Sequence, residues 1–505
     1  MLSSIPAGLL WNTDRLVAAL PDFKDIIYAA WPHSWYCTDL HFDSRCIKPG
    51  FMFLALSGGN RDGHLFIRDA IEKGAHVVLA EYIPDDCKDA SVPIIVLPNI
   101  QDALWEMGRF ARFDSAATFI AVTGSVGKTS TKELLNHVIG KQRFCFATPG
   151  NFNNHIGLPL TLCRVPFDAT HVIIEMGMNH QGEIEQLTSI TRPHIAIITA
   201  IAEVHLEHFD NLDGIAKAKA EIFSGLFPPS AVFLPKHSPY FDMLANKART
   251  VQPKARILSF GHQADANYHW IEESLHQNGE QLITEWSCNT THYQETLPRL
   301  SHGMLDNIAA VLACVDHLGL NISSALEALK DWEEAAGRGK QHNISWHNNG
   351  HITIIDDSYN ASPISVQSAL AHFTNMMNHK PLLANTRHII VLADMYELGP
   401  DAEKIHAQLA EHVVTTHADM VITAGPLMRA LYKKLTIVAP KLVQHHVEQT
   451  AQLESLLPAL LRDGDTVLFK GSHGTALHLI VEKLCTNQLA NIFTHPELGS
   501  LNHAV

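Results

Sequence analysis

Gly124-Ser125-Val126-Gly127-Lys128-Thr129-Ser130 joins an apolar run, TFIAV, to a stretch with apolar residues at helical spacing, TSTKELLNHVIG. A glycine-rich turn between a strand and a helix is the setting of a phosphate-binding loop. The glycines let backbone N–H groups approach phosphate oxygens, and the helix start adds positive potential. Lys128 can neutralise β/γ-phosphate charge, and Thr129 can ligate Mg²⁺. Only two residues separate the glycines, and Val122 stands where the general loop has its first Gly. Further on, HVIIEMG ends an apolar run on Glu175, a carboxylate that could reach the same metal directly or through water. The string DDSYNASP follows a third apolar run, HITII, so that Asp357, Tyr359 and Asn360 would lie at the carboxyl end of a strand, where open α/β sheets bind ligands.

Those residues need sheets to hold them. From about 51 to 113 the pattern reads as a small α/β unit: strands in FMFLALSG, HVVLAEY and PIIVLPN, helices in HLFIRDAIEKG and from Gln101 to Phe113. A second unit starts at TFIAV and continues through strands in HVIIEMG and HIAIITAI, an alternation that predicts a mostly parallel sheet. Alternating Thr, Trp, Tyr and Ile between 265 and 300 predict antiparallel hairpins inserted before a helix around Asn307–His317. A third α/β unit follows, with strands in HITII, HIIVLA, DMVITAG and DTVLFKG and a helix from Asp401 to Thr416. The expected fold class is α/β, in three domains: 1–113, a central P-loop ATPase-like sheet over 114–338, and a doubly wound, Rossmann-like unit over 339–505. The length of 505 residues, at about 150 per domain, agrees.

Composition excludes several classes. With 46% hydrophobic and 18% charged residues the chain can bury ample apolar surface and is neither disordered nor fibrous. A net charge of -15 argues against nucleic acid or an anionic membrane as the main partner, so any anionic ligand needs local positive charge. Eight Cys without a CxxC pair suggest neither a zinc ribbon nor a disulfide framework, and a reducing cytoplasm is expected. The start, MLSSIPAGLLWNTDR, has no basic, long apolar leader, and no run of about 18 apolar residues predicts a membrane span. The 33 His, titrating near pH ~6.5, can offset much of the negative charge just below neutrality.

In order along the chain, TGSVGKTS, TPGNFNNHIGLPLTL, IIEMGMNHQGEI, VHLEHF with AKAKAEIFSGL, DDSYNASP and ADMYELG resemble the Mur ligase family over nearly the whole length. Within it, GNFNNHIGLP, NHQGEI and DDSYNA are similar to the member that joins D-Ala-D-Ala to UDP-MurNAc-tripeptide. The resemblance implies three domains, binding the UDP-sugar, ATP and the incoming dipeptide, in a monomer. It implies that ATP phosphorylates the tripeptide carboxylate and that the dipeptide amine attacks the acyl phosphate. It also implies site residues. Gly124, Ser125, Gly127, Lys128, Thr129 and Ser130 would hold the triphosphate, with Thr129 and Glu175 on one Mg²⁺. His205, with His208 as neighbour, would serve a second Mg²⁺. Lys219, or Lys217 beside it, would be carbamoylated so that it could ligate metal, since an ammonium has no lone pair. Asn153 or Asn154 would approach the γ-phosphate, Asn307 the adenine, Arg338 the γ-phosphate and Asp357 the ribose, with Tyr359 and Asn360 lining the cleft. Asp43-Ser44-Arg45, Asp62-Gly63-His64 and Asn179 would contact the UDP-linked substrate.

Four positions depart from the family pattern: Ser57 for a Lys, Ala200 for an Asn, Ala393 for a Gly, and His473 for an Arg. The rival readings are a relative adding the third peptide residue, a folylpolyglutamate synthase-like enzyme, a P-loop kinase or GTPase, and a non-catalytic nucleotide-binding protein. The first would carry a DNPR string, which this chain lacks. A kinase would not require Glu175, His205 and Lys219 together.

Overall fold

The computed structural model describes residues 8–30, 34–58, 61–203, 207, 209, 211–275, 281–298, 300–346, 350–379, 386–486 and 488. Its largest element is a nine-stranded sheet. Strand Thr118–Thr123 lies between His171–Glu175 and Ile195–Ile198, all three parallel, and Cys145–Ala147 takes one edge. Ala231–Pro235 and Arg256–Gly261 extend the other side in parallel. Because the chain leaves Thr118–Thr123 first toward one edge and later returns to its other side, the topology reverses at that strand, and a crevice opens beyond its carboxyl end.

The antiparallel hairpins expected between 265 and 300 are present ahead of helix His302–His317, and they extend the central sheet rather than forming a separate one. Tyr268–Leu275 pairs in parallel with Arg256–Gly261, and Gln281–Cys288 and Thr291–Pro298 then continue the same sheet antiparallel. Trp270, Trp286 and Leu282 turn inward to join one face of the core, which is why the strands stay on the sheet. That face also buries Leu134, Leu135, Val138 and Ile139 of helix Lys128–Gly140 and the apolar side of His302–His317. The other face carries Glu183–Thr191, Leu212–Ala220 and Phe241–Val251.

The first unit is a four-stranded parallel sheet, Asp39–His41, Phe51–Leu54, Val77–Ala80 and Ile94–Val96. Its core runs on through helix Ile100–Asp114 to Leu160 and Cys163 of the central unit, so these two units share apolar packing. An Arg164–Asp39 ion pair at 2.6 Å reinforces the junction. The stretch HLFIRDAIEKG folds as a short 3₁₀ turn, Gly63–Phe66, followed by helix Ile67–Glu72.

The third unit is a six-stranded sheet with apolar cores on both faces, as a doubly wound fold requires. Its last strand, Thr466–Lys470, slots between Gly350–Asp357 and His388–Ala393. Parallel register places Lys470 directly beside Asp357. Two further strands, Lys340–Trp346 and Val443–Val447, lie on the edges of this sheet. No described helix is long and apolar enough to cross a membrane.

Candidate active site

The phosphate loop is built by two glycines in backbone conformations that side chains resist, Gly124 at φ +154° and Gly127 at φ +84°. A Cβ on Gly124 would collide with the Thr199 hydroxyl, which bonds the Val126 carbonyl at 2.5 Å. Ser125 anchors the loop: its N–H donates to Ala200 at 2.8 Å, and its hydroxyl donates to the carbonyl of Ala202 while accepting that residue's N–H. The Ser125 side chain thus holds the loop in shape, and the residue lines the cavity. Helix Lys128–Gly140 begins without a side-chain cap, so its first N–H groups remain for an anion. The Lys128 ammonium folds over the loop and donates to Gly124 O at 2.8 Å. Thr129 and Ser130 line the same cavity.

Register sets Glu175 opposite Val122, at the carboxyl end of the neighbouring strand. Its Oε1 accepts a 2.7 Å bond from Asn153 Nδ2, while Oε2 is buried with no hydrogen-bond partner. A buried carboxylate oxygen is costly unless something pairs with it. With the Thr129 hydroxyl on the same cavity, this donor set suits a hard, oxygen-seeking cation such as Mg²⁺. Asn154 is elsewhere: its Oδ1 accepts the N–H groups of Ile156 and Gly157 at the start of helix Gly157–Cys163. The expected pair of asparagines thus separates into one that faces the site and one that does not.

Lys132, one helical turn beyond Lys128, is fully buried and was not expected. It donates to Thr148 O at 2.8 Å and Gly150 O at 3.0 Å, and so ties down the segment leading to Asn153. Its Nζ is 4.0 Å from Glu175 Oε2. A lysine on the apolar side of an amphipathic helix was the available signal.

Lys219, on helix Leu212–Ala220, is only 2% exposed, whereas Lys217 faces solvent. Burial, helped by the nearby positive charge of Lys128, holds the Lys219 amine well below the ordinary lysine range. His205 and His208 lie outside the described residues. Asn179 reaches the cavity, and its N–H donates to Glu183 at 2.7 Å.

The opposite wall comes from the third sheet. Lys470 donates to Asp357 Oδ2 at 2.7 Å and to Asn360 O at 3.1 Å. Arg338 stacks on the Tyr359 ring at 4.3 Å. The buried Asp356 accepts the Gly337 N–H at 2.7 Å and its carbonyl the Gly339 N–H, fixing the segment that carries Arg338 to the strand end. Asn307 packs over Gly127, where a Cβ would lie 2.8 Å from its Oδ1. These two walls enclose a cavity of about 660 Å³, large enough for a nucleotide.

Three family models match in succession: Mur ligase family, catalytic domain, over 38–111; Mur ligase middle domain over 122–315; and Mur ligase, glutamate ligase domain, over 344–473. UDP-N-acetylmuramoyl-tripeptide–D-alanyl-D-alanine ligase of Rickettsia prowazekii is 33% identical over 476 residues, 94% of this chain and 99% of that one. The chain belongs to the Mur ligase family. The enzyme of the same name from Escherichia coli is 30% identical over 88% of this chain and 93% of its own. A crystal structure of MurF from Acinetobacter baumannii superposes with a TM-score of 0.78 at 25% identity, covering 95% of this chain and 100% of that one.

In this Mur ligase the first-unit residues do not line the phosphate cavity and are largely bound to one another. Asp43 takes the guanidinium of the exposed Arg45, chiefly through Nη2 at 2.6 Å, which holds its carboxyl down at about 2. Ser44 is buried. Asp62 accepts from Tyr82 Oη at 2.7 Å and lies 2.6 Å from His64 Nδ1. His64 Nε2 accepts the Glu81 N–H, and the ring is buried and stacked on Tyr82 at 4.0 Å. With both ring nitrogens used, His64 positions Asp62 and Tyr82. Ser57 lies 3.4 Å from Asp62.

Proposed function

We propose that this Mur ligase joins D-Ala-D-Ala to UDP-MurNAc-tripeptide at the expense of ATP, through an acyl-phosphate intermediate. The observation that carries the reading is one cavity bounded by a phosphate loop on the central sheet and by Arg338, Asp357 and Lys470 on the third. Relatives covering nearly the whole chain bear that activity in their names. The same reading divides the chain at about 113 and 338 into domains for UDP-sugar, ATP and dipeptide, as the separate sheets suggest.

Lys128 and the helix N-terminus would bind the β/γ-phosphates, Asn307 the adenine side and Asp357 the ribose. Mg²⁺, held by Thr129 and Glu175, would supply charge neutralisation at the phosphates. Asn153 would orient Glu175 and approach the γ-phosphate; Arg338, steadied on Tyr359, would approach it from the other wall. Catalysis of this kind comes from positioning and from fixed positive charge, which a chain of net charge -15 must concentrate locally. Carbamoylation of Lys219 belongs to the same proposal. A buried amine with a lowered pKa is the uncharged nucleophile that can add to CO₂. ADP release that requires both the tripeptide and D-Ala-D-Ala, with an amide-linked pentapeptide as product, is expected. Equal ATP turnover without the dipeptide would overturn the ligase reading.

A further inference from the structure

Pro235 and Phe260 are register partners in adjacent parallel strands, so the residues that follow, His237 and His262, emerge side by side at the carboxyl edge of the central sheet. Their rings stack at 5.2 Å. Asp306, in the first turns of helix His302–His317, faces both: its Oδ2 is 3.8 Å from His237 Nδ1 and its Oδ1 3.7 Å from His262 Nδ1. Among the described residues this is the one His/Cys/Asp/Glu group of three whose ligand atoms all lie within 4.8 Å.

We propose that His237, His262 and Asp306 bind a divalent transition-metal ion of the zinc class at the rim of the nucleotide cavity, apart from the Mg²⁺ carboxylate Glu175. Two imidazole nitrogens are borderline ligands that favour zinc, cobalt or nickel over magnesium, and a carboxylate is an accepted third ligand for such ions. Tetrahedral ligands about 2.0–2.1 Å from zinc lie roughly 3.3 Å apart, so the His–Asp distances need to close by about half an ångström and the widest ligand pair by at most about 1.5 Å. Both imidazoles are partly exposed to solvent, which leaves room for that adjustment. Two independent features support a built site. Trp270 Nε1 donates to Asp306 Oδ1 at 2.8 Å, an outer contact of the kind that orients a metal-binding carboxylate. Gly261, at φ +137°, leaves space among the ligands: a Cβ there would stand 3.2 Å from His237 Nδ1 and 3.7 Å from Asp306 Oδ1.

The test uses Co²⁺ as a spectroscopic probe on the full chain, stripped with chelator and then saturated with Mg²⁺. Visible d–d bands that saturate at one equivalent and are displaced by Zn²⁺ are expected. His262→Ala and Gly261→Ala, with folding checked by circular dichroism, should each weaken Co²⁺ binding by at least about tenfold. The control His292→Ala, at an exposed pair with Glu285, should leave it unchanged. Absence of saturable bands, or bands of unchanged affinity in the exposed-site variant His262→Ala, would overturn the proposal.

Discussion

Asn153 donates to Glu175 at 2.7 Å, while the adjacent Asn154 turns away to cap a helix. The two asparagines therefore fail differently when truncated. Asn153→Ala should lower kcat by about a hundredfold, the scale of one lost electrostatic contact, and cost about 1–3 kcal/mol of stability because the buried Glu175 Oε1 loses its donor. Asn154→Ala should cost about 1 kcal/mol of stability, a typical cap, and leave most of kcat. Steady-state ADP release and urea melts on both variants separate the outcomes; equal kinetic losses would mean that Asn154 also reaches substrate.

Lys217 and Lys219 are two residues apart on one helix, and burial alone divides them. Lys219→Ala should abolish ligation, with no rescue by bicarbonate, and Lys217→Ala should stay near wild type. A carbamate carbonyl signal in ¹³C NMR after exposure to labelled bicarbonate is expected in wild type and in Lys217→Ala, and not in Lys219→Ala.

The contrast between those residues and their surroundings explains what was legible in the sequence. TFIAV and HVIIE are buried on both faces, so their apolar runs marked them as strands. Val443–Val447, VQHHV, sits on a sheet edge, is nowhere fully buried and carries no such run. The phosphate loop is local and could be read in one glance along the chain. Lys470 and Asp357 are 113 residues apart, and only parallel register brings them to 2.7 Å. Lys132 was hidden for another reason: a buried lysine needs carbonyl partners, and those come from a distant turn.

That register pair leads to its own prediction. Burial raises the Asp357 pKa, and Lys470 is the main group opposing that rise. Lys470→Met strands the carboxylate beside the nucleotide wall, so the KM for ATP should rise more than tenfold as Asp357 takes up a proton. Stability should fall by about 3 kcal/mol or less, since the Asp357 side chain keeps 24% exposure. Lys470→Arg should recover stability better than KM, because the planar guanidinium cannot reproduce both short contacts. Calorimetric ADP affinity and denaturant melts decide between these outcomes.

Glu334 provides a pH test of the same cavity. Burial, with the negative charge of Asp357 adding to it, pushes its pKa from 4.5 up to about 8. The folded protein therefore holds a proton that the unfolded chain has released above pH 4.5. Its contribution to stability is complete below that value and is lost as pH rises through about 8. Ionisation also adds negative charge to the wall of a cavity that must receive a polyanion. In the wild type, melting temperature should fall from about pH 5 to 8 and then level off, ADP affinity should fall between about pH 7 and 9, and Glu334→Gln should flatten both slopes. If the glutamine variant keeps the wild-type decline in ADP affinity, another group governs that limb.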